Sequence, residues 1–102
     1  MAKAYIIGDK DLILGFQLAG IKGMSVSNKN EALHALKQAV NMEDIKIIFI
    51  SEEFSVQIYD EIDEIRSRGR APLIVEIPRG LEISGEPSST QRLMRRVLRL
   101  RV

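Results

Sequence analysis

The stretch IKIIFIS, residues 45–51, does more than any other to narrow what this chain can become. It is rich in β-branched residues and has no polar alternation, the pattern of a strand covered on both faces. Such a strand needs helices above and below it. In a short chain, that means parallel strands joined by right-handed crossovers. The flanking sequence supplies both kinds of element. KAYIIG (3–8) reads as a strand ending in Gly8, and DLILGFQLAG (11–20) as a helix with Gly20 near its C-terminal end. KGMSV (22–26) is a weaker second strand. Asn28 is placed to N-cap a helix running through Val40, with Glu31 at the capping-box position. From Glu53 to Arg68 the spacing predicts one helix with Phe54, Ile58, Ile62 and Ile65 on a single face, stopping at Gly69. APLIVEIP (71–78) is a fourth strand, closed by Pro78.

The expected fold is therefore α/β: a small four-stranded parallel sheet of receiver or flavodoxin-like type, order 2-1-3-4. Its body spans 1–78, a Gly/Pro linker follows at 79–87, and Ser88 with Gln91 opens a C-terminal helix over 88–102. At 102 residues, 45% of them hydrophobic and 28% charged, the chain suits one globular domain. It has no cysteine, which removes disulfides, thiol chemistry and thiolate metal sites and fits a reducing compartment. Apolar runs as short as IIFI (47–50) fall far below the roughly 20 residues of a bilayer span. The N-terminal MAKAYIIGDKD reaches its acids too early for a secretory signal. The expectation is a soluble protein with no direct membrane insertion.

Open parallel sheets bind ligands beyond the carboxyl ends of their strands, near the switch point in strand order. Here that location falls between strands 1 and 3, beside IGDKDLILGFQLAGI (7–21). Receiver chemistry there needs an acid pair, a phosphoacceptor aspartate ending strand 3, and a later lysine. Asp9 and Asp11 are split by Lys10, strand 3 ends in Ser51, and strand 4 ends in Glu76-Ile77-Pro78. Without the aspartate there is no phosphoacceptor and no convergent oxygen set for magnesium. Gly15 and Gly20 have P-loop spacing, but Ile21 stands where the lysine belongs. An acid at Asp9 repels a phosphate while suiting the helix dipole, so Asp9 or Asp11 reads as the cap of helix 1. His34 lies among polar neighbours with no second histidine to complete a metal site. Ser51-Glu52-Glu53 lacks the histidine and elbow glycine of a nucleophile. The acids Glu52, Glu53, Asp60, Glu61, Asp63 and Glu64 read as a solvated helix face. No catalytic residue, cofactor or metal ligand emerges.

Gly15 asks for a reason, because glycine inside a helix costs about 1 kcal/mol relative to alanine. Close approach by another backbone supplies one, and the neighbouring Phe16 suits either a core position or a partner-facing patch. Charge supplies the other clue. Residues 88–102 hold Arg92, Arg95, Arg96, Arg99 and Arg101 and no acid, a charge of +5, which leaves −4 on the remainder of a chain of net +1. On a helical projection Leu93, Met94, Val97, Leu98 and Leu100 share one arc and most of the arginines the other. Such a basic amphipathic helix either packs back on the sheet or leaves the body to meet an acidic helical partner or an anionic surface. Nucleic acid is disfavoured, because no aromatic or lysine-rich surface accompanies the arginines.

Taken together, GDKD with GFQLAG (Gly8, Asp9, Asp11, Gly15, Phe16, Leu18, Ala19, Gly20), IFISEE, PLIVEIP and LMRRVL resemble the F subunits of the V-type/A-type rotary ATPases, from about residue 5 to 98. The resemblance implies a non-catalytic rotor part of the central stalk, peripheral to the membrane on its cytoplasmic side. It implies coupling of ATP hydrolysis or synthesis to ion translocation, and modulation of ATPase activity. The implied partners are the coiled coil of the stalk's D subunit, the A and B subunits of the catalytic ring, and the connector between stalk and membrane ring. Gly15 and Phe16 then form a stalk contact. Leu93, Val97 and Leu100 pack on the stalk helices, with Arg92, Arg95, Arg96 and Arg99 facing acidic groups. Many members carry a glycine after the R-[RK]-x-V stretch, where this chain has Leu98. The alternative is a receiver-like binding module that cannot be phosphorylated.

Overall fold

In the computed structural model, residues 3–78 are described. They form β1 (Lys3–Gly8), α1 (Lys10–Leu18), β2 (Lys22–Ser25), α2 (Lys29–Val40), β3 (Ile45–Ser51), α3 (Glu52–Ser55), α4 (Tyr59–Arg66) and β4 (Leu73–Ile77). The expected linker (79–87) and C-terminal helix (88–102) lie outside the described residues.

The four strands pair in parallel in the order β2-β1-β3-β4, as the sequence leads one to expect. Helices cover both faces, which is why IKIIFIS carries no polar alternation. On one face Ile7, Ile48, Ile50 and Ile74 meet α2 through Ala32, Ala35, Leu36 and Ala39, and α3 and α4 through Phe54, Ile58, Ile62 and Ile65. On the other face Ile6, Phe49 and Ile77 join Ile13 and Phe16 of α1, which lies against β1 and β2. Ile45 breaks the parity, clustering with Ile48 and Ile50 instead of Phe49. The β1–β3 register explains it. Lys3 faces Ile45 and Ala4 faces Ile47, so Lys46 is an extra residue bulged out to solvent.

The helix ends follow the chemistry of their sequence. Asp9 Oδ1 accepts from the Leu12 amide at 2.8 Å, making it the N-cap of α1. At the other end Ala19 is the C-cap and Gly20 has φ 84°. The Gly20 amide donates to Gln17 O at 2.9 Å and the Ile21 amide to Phe16 O at 3.0 Å, a Schellman turn. Asn28 caps α2 through the Glu31 amide at 2.9 Å. Glu31 returns the bond one residue further upstream than expected, accepting from the Ser27 amide at 2.8 Å and its hydroxyl at 2.9 Å. Those bonds, the amide first, hold the Glu31 carboxyl below its ordinary value.

The single helix expected over 53–68 is a correction. It is two helices, α3 and α4, with a break at 56–58. The Gln57 and Ile58 amides each reach only three residues back, to Phe54 O and Ser55 O, and Ile58 leaves helical geometry at φ −132°, ψ 31°. The four apolar side chains still reach the core, each no more than 5% exposed. Arg66, in the last turn of α4, donates to the Ile74 carbonyl of β4 at 2.8 Å.

Candidate docking surface and the carboxyl edge of the sheet

The polar groups at the carboxyl edge are occupied by the fold itself. Asp9, following β1, caps α1. Ser51, ending β3 and 8% exposed, accepts from the Glu53 amide at 3.3 Å and so caps α3. Glu76, near the end of β4, accepts from the fully buried Ser55 hydroxyl at 2.5 Å. The same carboxylate, ahead of partial burial and the charge of Glu52, holds the Tyr59 phenol above its ordinary 10.0. Among the described residues no group of three His, Cys, Asp or Glu is placed to hold a metal ion. His34 is exposed on α2. The edge can therefore start helices and fasten them to the sheet, and that is the chemistry its bonds perform.

Tyr59 gives a pH test. A phenol whose pKa is raised in the folded state adds stability that is complete below pH 10.0 and lost as pH rises through the folded value. Glu76→Gln removes the carboxylate's charge and leaves a weaker acceptor, so Tyr59 should ionise at lower pH than in the parent chain. Absorbance titration in a Tyr5→Phe background, which leaves one tyrosine of two, reads this directly.

The structure places Gly15 and Phe16 inside the molecule. Both are buried, and the Phe16 ring packs tilted against Phe49 with centroids 5.5 Å apart. Phe16 is thus the core residue of the two readings the sequence left open, and its ring is not on the surface. What α1 presents to solvent is Leu14, 57% exposed, and Leu18, 44% exposed, beside Lys10, Asp11 and Gln17. These leucines stand four residues apart on one ridge of the helix. The sequence reading named neither as a contact, although KDLILGFQL has more apolar positions than one buried face can use. The other expected contacts, Arg92, Leu93, Arg95, Arg96, Val97, Arg99 and Leu100, lie outside the described residues. Among the described residues no helix is long and apolar enough to cross a membrane.

Comparison with known proteins adds the following. The family described as "ATP synthase (F/14-kDa) subunit" matches residues 4–97. The F subunit of the A-type ATP synthase from Methanosphaera stadtmanae is 38% identical over 74 residues, covering 72% of this chain and 69% of that one. Its counterpart from Methanocaldococcus jannaschii is 35% identical over 77 residues, 74% of each chain. A response regulator receiver domain from Clostridium thermocellum aligns over 98% of this chain and 99% of its own, at 13% identity and a TM-score of 0.39. That likeness is too slight to carry an argument, and the topology rests on the strand pairing above.

Proposed function

Because the chain belongs to the ATP synthase (F/14-kDa) subunit family, we propose that it is a non-catalytic central-stalk component of a rotary ATPase. It works on the cytoplasmic side of the membrane, coupling ATP chemistry in the A/B ring to ion translocation and modulating ATPase activity. The observation that carries this reading is the extent of the family match. It runs through the α/β body and on to residue 97, taking in Arg92, Arg95 and Arg96. Two docking elements follow. Leu93, Val97 and Leu100 pack on the coiled coil of the D subunit, while Arg92, Arg95, Arg96 and Arg99 pair with acidic groups of the stalk or ring. The α1 ridge of Leu14 and Leu18 makes the body's contact, with Gly15 and Phe16 behind it shaping the helix from within.

Bait recovery from native membranes tests the proposal. Tagged full-length chain should bring down the A, B and D subunits and the connector. Leu14→Glu with Leu18→Glu changes only exposed positions, so the fold should hold within about 0.5 kcal/mol per site while recovery falls. A chain ended at Gly85 should lose recovery through the other element. Failure of the full-length bait to recover any ATPase component would overturn the reading. Full recovery by the double variant would move the body's contact away from α1.

A further inference from the structure

We propose that Glu76 is a positioning residue that fixes the angle at which the chain leaves the body at Pro78, by latching the end of β4 to the elbow between α3 and α4. Among the described residues β4 is an edge strand with β3 as its one strand neighbour, and after Ile77 comes Pro78, which has no amide hydrogen to continue the ladder. The last residues of such a strand fray unless side chains hold them.

Side chains along β4 alternate. Val75 and Ile77 join the cluster beneath α1, and Ile74 the cluster beneath α2 and α4. Glu76 shares the second face with Ile74, where a half-buried position ordinarily carries an apolar residue. It is the one charged side chain in LIVEI. Its carboxylate accepts from Ser55, the last residue of α3, at 2.5 Å. Tyr59, the first residue of α4, stands just past the same break, and its phenol is held above its ordinary value first by that carboxylate. One carboxylate therefore ties the last residue of α3, at the lip of the helix break, to the strand end.

The chemistry suits positioning. Ser55 is fully buried and has a poorer local acceptor, the Glu52 carbonyl at 3.4 Å, so its hydroxyl is directed across 21 residues of sequence to Glu76. The guanidinium of Arg66 donates to the Ile74 carbonyl, so what holds Glu76 is the hydroxyl-to-carboxylate bond from Ser55. That bond is directional and short, and it sets an orientation where an ion pair of long side chains sets only a proximity. An apolar residue at 76 would fill the space without fixing a direction. The latch belongs to the free chain and does not depend on the stalk assignment.

The full chain has no cysteine, so Ser88→Cys accepts a single nitroxide whose broadening of the body's amide signals reports where the chain goes after Pro78. Glu76→Gln and Ser55→Ala should each redistribute that broadening among the body amides. The shifts of β1, β2 and β3 should stay in place, and exchange of the Glu76 and Ile77 amides should accelerate about ten- to hundredfold. Tyr59→Phe should act in the same direction and less. Should Glu76→Gln fail to fold, Ser55→Ala and Tyr59→Phe decide the matter. An unchanged broadening pattern in those variants overturns the proposal. So does faster exchange spread evenly over β1 and β3 with the pattern unaltered, since that is loss of stability alone.

Discussion

Phe49→Ala is expected to destabilise the fold by about 3–5 kcal/mol, the usual cost of emptying a buried aromatic site. Phe49 is fully buried on β3, one of the two central strands, and its ring meets Phe16 of α1. Nothing small can replace it without a void, because the sheet on one side and the helix on the other are fixed by their own hydrogen bonds. Against a total of about 5–15 kcal/mol for a domain of this kind, the loss is a large fraction. Urea unfolding should show the midpoint falling with little change of slope. Phe16→Ala should cost a similar amount. A double-mutant cycle between the two rings should return a coupling of about 0.5–1.5 kcal/mol. A cost for Phe49→Ala below about 1 kcal/mol would mean that α1 does not pack on the sheet as described.

Gly23→Ala should be as damaging for a different reason. Gly23 lies opposite Ile6 in the β1–β2 register. A Cβ there would collide with the Ile6 carbonyl oxygen and with its Cγ2, both far inside van der Waals contact. The nearest obstacle is backbone, so no rotamer relieves it, and β2 must move off β1. The expected loss is about 3 kcal/mol or more, at the upper end for overpacking. Gly69→Ala separates sterics from backbone preference. Nothing lies within 4 Å of its Cβ, but φ is 77°, so only the left-handed penalty of about 1–2 kcal/mol applies. If the two substitutions cost the same, the clash at Gly23 is being relieved by a shift the register does not suggest.

The elements that could be read from sequence are those whose cause is local. IKIIFIS announces its own two-sided burial, Asn28 and Asp9 cap within three residues of themselves, and Gly20 and Gly69 sit where left-handed turns need them. The break in the predicted 53–68 helix could not be read, because its partner is distant. Phe54, Ile58, Ile62 and Ile65 keep helical spacing, while the Ser55–Glu76 bond forms only after β4 is in place. Gly23 reads as a weak strand residue until the register sets it against Ile6. For the candidate surface the sequence named Gly15 and Phe16, and packing turns both inward while Leu14 and Leu18 of the same helix stay exposed. α1 is apolar at Leu12, Ile13, Leu14, Phe16 and Leu18, so its periodicity names no single face, and only packing decides that Phe16 goes in and Leu14 stays out.

The reach of Arg66 to the Ile74 carbonyl matters most to a newly made chain that has not yet found its assembly. A parallel sheet with an apolar outer strand invites copies of itself to add on, rung by rung, until a fibril grows. LIVEI is apolar at four of its five positions, but it is flanked by Pro72 and Pro78, which offer no amide hydrogen, and one of its carbonyls is already taken by a guanidinium. A strand arriving there finds a ladder with rungs missing. Among the described residues, β4 is thereby a poor template for polymerisation.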